Sequence, residues 1–225
     1  MSTNDECLAA VKRNDVPTVE RMLATDPDLA AARDAAGVSA LMLALYHGYS
    51  DLAARLAVQR PTLDVFEAAA LGDRERLAAL LDRDGGLANA VSPDGFPLVT
   101  LAAFFGRLEA LALLLARGAD PDDAAANPMR VAAVHAATAH RDGAAALAIM
   151  QLLLERGARV NVAQQGGWTP LHQAAKHGPA ELVELLLEHD ADVSARSDDG
   201  QTPLQLAESA ARDAIAALLR ERGAA

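Results

Sequence analysis

The chain has 225 residues, 52% of them apolar but only 3% aromatic, with a formal net charge of −11 and one cysteine. No run approaches the ~20 apolar residues that a membrane span needs, and the lone Cys7 excludes an internal disulfide and any Cys-rich zinc site. Lysine is nearly absent, so the clustered cations that phosphate-backbone binding requires are missing and nucleic acid is not an expected partner.

The first residues, Met1-Ser2-Thr3-Asn4-Asp5-Glu6, show neither a basic nor an apolar leader region, so a cytoplasmic, reducing location is expected. Cys7-Leu8-Ala9-Ala10 then begins a helix that ends near Asn14. Gly37-Val38-Ser39-Ala40-Leu41-Met42 opens a second one, ending at Gly48. Arg60-Pro61-Thr62-Leu63-Asp64 is too short for a turn hairpin, so the next unit starts directly on its helix, Asp64 to Gly72. Asp94-Gly95-Phe96-Pro97-Leu98-Val99 leads to Gly106 and a leucine run ending at Gly118. Ala132-Ala133-Val134-His135 has no matching glycine, and its partner Leu154 lies four residues too far on, which predicts an insertion near His140-Arg141-Asp142-Gly143.

Trp168-Thr169-Pro170-Leu171-His172-Gln173-Ala174-Ala175 is the most telling stretch. Thr169 can cap a helix through its hydroxyl, Pro170 suits the first helical position because it has no N–H to lose, and the small alanines let helices approach closely. Gly178 ends that helix and Leu185-Leu186-Leu187 follows. Asp199-Gly200-Gln201-Thr202-Pro203-Leu204 starts a last copy, closed by Leu218-Leu219.

One such unit cannot bury its own apolar face, so it must recur. The chain resembles the ankyrin-repeat family over essentially its whole length, most closely around residues 168 and 94. Its Ala, Arg, Leu and Asp usage points to a bacterial member. The resemblance implies an all-α solenoid of about seven helix pairs with short β-turn fingers, missing before units one and three. The units fall at about 5–35, 36–60, 61–91, 92–124, 125–163, 164–196 and 197–225, in one domain. An internal duplication also shows at an offset of 58 residues, where Gly37 meets Gly95 and Gly48 meets Gly106.

In this family, fingers and first helices line a concave face that binds partner proteins. The resemblance therefore places Tyr46, His47, Phe96, Phe104, Phe105, His140, Gln165, Trp168, Lys176, His177 and Gln201 on the expected contact strip. Aromatic side chains there would be strong anchors, since they bury much area at little entropic cost. His135 and His172 occupy the family's histidine place, which implies hydrogen bonds to loop backbone between repeats. His135/His140 and His172/His177 are spaced by five, which turns them roughly 140° apart on a helix. They share no face, and no metal site is expected.

No phosphate loop, nucleophile elbow or zinc-protease motif occurs, so neither an enzyme nor a cofactor is expected. A monomeric protein-binding module is the leading reading. The alternatives are a small-ligand or enzymatic pocket lined by Phe104, Phe105, Trp168 and His177, and a self-associating structural protein.

Overall fold

A computed structural model describes residues 2–224. Among these residues fourteen α-helices form seven helix-turn-helix pairs. The pairs are α1 (Thr3–Lys12) with α2 (Val16–Thr25), α3 (Ala40–Tyr46) with α4 (Ser50–Val58), and α5 (Val65–Leu71) with α6 (Arg74–Arg83). Then come α7 (Leu98–Phe104) with α8 (Leu108–Ala116), and α9 (Ala133–Thr138) with α10 (Gly143–Glu155). The last are α11 (Pro170–His177) with α12 (Ala180–Glu188), and α13 (Pro203–Ser209) with α14 (Asp213–Glu221). First helices stack on first helices along the chain, and from α6 onward second helices stack on second helices. The chain is an all-helical solenoid.

The helix starts follow from local chemistry. Ser2, Asp15, Ser39, Asp64, Asp73, Asp142 and Thr202 each accept a backbone N–H of the first turn, which would otherwise be unpaired. Thr169 behaves differently from the sequence expectation. Its hydroxyl lies 2.8 Å from His172 Nδ1 and serves the histidine rather than the helix end. The insertion in the fifth pair is largely an added helical turn, because α10 has 13 residues where α8 and α12 have 9.

Fingers precede α3, α7, α9, α11 and α13. Three carry an antiparallel bridge, Arg33 to Ser39, Val91 to Pro97 and Ala124 to Ala132. The other two close through Gln164 N–H to Trp168 O and Ser197 N–H to Gln201 O, both 3.0 Å. Residues 59–64 make no such bridge.

Neighbouring fingers are laced by backbone bonds. Ala126 N–H donates to Gly95 O (2.8 Å), Gln165 N–H to Met129 O (3.0 Å) and Asp198 N–H to Gly166 O (2.9 Å). Pro93 sits at the same place in its finger and has no N–H to give. The finger before α3 therefore meets the finger before α7 only by packing, with Gly37 against the Pro93 ring. The lacing begins at residue 95 and runs C-terminally.

The duplication is visible to the residue. Shifted by 58, the bounds of α2, the 3-10 turn Pro27–Ala31, α3 and α4 become those of α6, the 3-10 turn Gly85–Asn89, α7 and α8. The bridge Arg33–Ser39 becomes Val91–Pro97. The caps also repeat: Asp15 on Thr18 becomes Asp73 on Arg76. Two places differ: α1 begins earlier under its own Ser2 cap, and Ser39, which caps α3, becomes Pro97, which makes no side-chain cap.

First helices end in the left-handed region at Asn14 (φ 54°), Gly48, Gly72, Gly106 and Ala211 (φ 55°). Gly178 departs from this pattern with φ −77°, because Pro179 after it disfavours compact conformations. A Cβ at Gly178 would lie 2.9 Å from Ala174 Cα, so space rather than φ requires glycine there. An alanine in the left-handed region is strained by about 1–2 kcal/mol, partly offset because alanine also restricts the unfolded chain. Ala211→Gly is therefore expected to stabilise by about 0.5–1 kcal/mol. A denaturation midpoint that stays put or falls would count against strain at this turn.

The core divides in two. One cluster holds the buried residues of α1 to α4 with Leu63, Ala70 and Leu101. The other runs from Val65 through Leu219. The division falls where the finger is missing. There the joint is made by Phe66, which packs on both clusters, and by ion pairs Arg33–Asp64 and Arg60–Glu67.

Candidate functional site

The structure brings six of the predicted contact residues into two groups. The first group is aromatic. Tyr46 at the end of α3 stands 5.5 Å, centroid to centroid, from Phe105 and 6.4 Å from Phe104 at the end of α7. Phe104 and Phe105 meet edge to face at 5.1 Å. These rings reach across the third unit because α5 presents only Ala70 and Leu71 at that level and has no finger. Phe105 is half-buried against the N-terminal core, whereas Phe104 is 47% exposed. Of the two, Phe104 is the one available for contact.

Phe96 comes up from the finger before α7 and closes one side of a cavity of about 310 Å³. Tyr46, Thr100, Leu101 and Phe104 from the first helices form its floor, and Met129 and Val131 from the next finger complete it. Asp94 is the one charged residue on its wall. The Tyr46 hydroxyl oxygen is buried there without a hydrogen-bond partner. Burial first, and the Asp94 carboxylate second, push the Tyr46 phenol far above its ordinary value, so it stays a neutral hydroxyl.

The second group lies two units on. Trp168 is half-exposed on its finger, as expected, with Lys176 Nζ 5.1 Å from its ring centre. His172 packs behind it at 6.1 Å.

The pocket expected from Phe104, Phe105, Trp168 and His177 is not formed. Phe104 turns N-terminally toward Tyr46, and neither Trp168 nor His177 lines its cavity. The remaining predicted residues are scattered. His47 is exposed and stacks on Tyr49 at 5.5 Å. His140 is displaced by the insertion and folds over Gly106, where its Nδ1 accepts Asp142 N–H. His47 and His140 do line one open groove, with Arg107 and Arg141, on the other side of Phe104. Gln165, His177 and Gln201 are exposed. Gln165 and Gln201 also serve the scaffold through main-chain N–H and carbonyl bonds.

Three residues that sequence reasoning passed over shape the site. Asp94, Met129 and Val131 belong to fingers, and their approach depends on how successive fingers register. Arg107 follows the left-handed Gly106, and its Nε donates to Ala70 O, 2.8 Å away in the preceding unit. Arg212 does the same from the equivalent place, to Ala174 O and Ala175 O. Both satisfy carbonyls left open at a helix end.

His135 and His172 are structural, as the resemblance implied. His135 Nε2 meets Val162 O (3.0 Å) and Trp168 O (3.2 Å), and His172 Nε2 meets Gln201 O (3.0 Å). Each holds the finger of the next unit. Burial pushes the His135 imidazole down to about 4, against the two carbonyls that favour its charge. His172 moves down for the same leading reason.

An unfolded imidazole binds its proton near pH 6.5, so from there down to about 4 the unfolded chain holds the extra proton and folding stability falls with pH. For His135 the loss should reach the order of 3 kcal/mol. Urea midpoints at pH 7, 5.5 and 4.5 should show it, and His135→Gln should flatten the slope. An unchanged slope in that variant would place the linkage elsewhere.

Among the described residues no group of His, Cys, Asp and Glu could hold a metal ion, and no helix is long and apolar enough to cross a membrane. The sequence model of the family described as ankyrin repeats (3 copies) matches residues 135–225. An E3 ubiquitin-protein ligase, XB3, from Oryza sativa subsp. japonica is 43% identical over 76 residues. That match covers 32% of this chain and 17% of the rice protein. Residues 135–225 thus match ankyrin repeats in sequence, and the earlier residues repeat the same helix pair, with fingers before α3 and α7.

Proposed function

We propose that this chain is a non-enzymatic protein-interaction module, monomeric and cytoplasmic, that lays a partner segment along its fingers and first helices from α3 to α13. The observation that carries this reading is the distribution of aromatic residues. Of only seven in the chain, Tyr46, Phe96, Phe104, Phe105 and Trp168 gather on this one surface. Phe104 and Met129 stand 47% and 45% exposed, a cost in water unless something covers them. Large aromatic anchors beside a few polar groups are what binding surfaces use.

A peptide library panned on the intact protein tests this. Selected peptides are expected to lose at least tenfold in affinity on Phe104→Ala/Lys176→Ala, with the circular dichroism spectrum unchanged. Binding should also shift the emission of Trp168, the sole tryptophan. A control pair on the second-helix side, Arg55→Ala/Val58→Ala, should bind normally. Peptides that ignore the first pair and fail on the control would move the site to the opposite face.

A further inference from the structure

The cavity beneath Phe104 is unlike the rest of the strip, and its chemistry narrows what can occupy it. Its wall is nearly all apolar, yet one carboxylate, Asp94, stands in it. No Lys, Arg or His forms an ion pair with that carboxylate among the described residues. Its side-chain bond within the chain is to the Ser92 hydroxyl. Beside it the Tyr46 hydroxyl is buried, with Asp94 near enough to raise the phenol. Three rings, Tyr46, Phe96 and Phe104, line the same space.

An apolar anchor such as leucine would fill the cavity but cover the Asp94 carboxylate without a partner, which is unfavourable. An acidic group would meet Asp94 as a like charge. A cation on an apolar stem matches every part. Its charge meets the carboxylate, and the ring faces attract it further. Its methylenes replace water along Met129 and Val131.

We propose that this pocket takes the lysine or arginine side chain of a partner peptide, with the charge at Asp94 and the stem along Phe96, Phe104, Met129 and Val131. The inference rests on the interaction-module reading and names the anchor that the module reads. The basic groove beyond Phe104, with Arg107 and Arg141, confines the cation to the finger side. A bound segment would therefore run with its cation toward the fingers. The chain's own net charge of −11 favours such a partner at long range as well.

The test uses the intact chain and capped Gly-X-Gly tripeptides in which X is lysine, arginine, norleucine or glutamate. The Met129 methyl resonance reports the pocket directly. Lysine and arginine peptides are expected to shift it saturably, at least tenfold more tightly than norleucine, with glutamate showing nothing. Asp94→Asn keeps an oxygen for the Ser92 hydroxyl but removes the charge, and should erase the preference to within about threefold.

Norleucine binding as well as lysine, or shifts that bypass Met129, would overturn the cationic pocket. Library-selected peptides separate the two levels. Dependence on Phe104 and Lys176 without dependence on Asp94 overturns this inference and leaves the module. Independence from all three overturns both.

Discussion

Arg60→Met should cost about 3–5 kcal/mol, the range expected when a buried charge loses its partner. Glu67 is fully buried, and the Arg60 side chain that pairs with it is only 10% exposed. The pair stands where every other internal unit has a finger. With no hairpin to close the start of α5, a network of charged groups does so instead. Glu67 Oε2 accepts Asp64 N–H at 2.9 Å, Asp64 Oδ1 accepts Glu67 N–H at 2.9 Å, and Arg33 reaches Asp64 Oδ2 at 2.6 Å from the preceding finger. Removing Arg60 leaves the carboxylate desolvated and unpaired.

Arg60→Met/Glu67→Gln should recover most of the loss, because glutamine keeps the oxygen that caps Asp64 N–H and carries no charge. Denaturant titration of the three proteins decides the matter. If the single variant lies within about 1 kcal/mol of the parent, the pair is a solvated surface contact and this account of the missing finger fails.

The repeat was legible in the sequence because it is written in residues whose roles are local. Pro170 and Pro203 open helices, glycines turn them, and leucine runs mark second helices. The 58-residue duplication was legible for the same reason, since each matched position plays the same local part twice. What could not be read was the meeting of distant side chains. Phe105 looked like a contact residue by its place in the repeat, yet it is half-buried against the N-terminal core because the intervening unit offers only small side chains. His140 kept its repeat position on paper, but the insertion moved it onto Gly106. Asp94, Met129 and Val131 gave no signal alone, because their convergence depends on finger register. Pro93 was a signal available in principle. A proline where other fingers donate an N–H marks the point at which lacing between fingers begins.

Leu186→Ala should cost about 2–5 kcal/mol, and the place where the damage stops is the more informative result. Leu186 is fully buried in the C-terminal cluster. In a stack whose units touch only their neighbours, loss spreads from the lesion outward rather than everywhere at once. Amide exchange should rise first in α11 to α14, then in α9 and α10, and last in α1 to α4, which belong to the other cluster. Leu52→Ala, in the N-terminal cluster, should open α1 to α4 first and leave α11 to α14 protected.

The cationic pocket lies across the joint between the clusters. Tyr46 and Phe96 pack on the N-terminal core, while Val131 packs on the C-terminal one. Leu52→Ala should therefore weaken binding of the lysine tripeptide at Met129 more than Leu186→Ala does, and Leu186→Ala should disturb Trp168 emission more. Equal exchange across all seven pairs in either variant would mean a single cooperative core, and the joint at the missing finger would then have no mechanical consequence for the site.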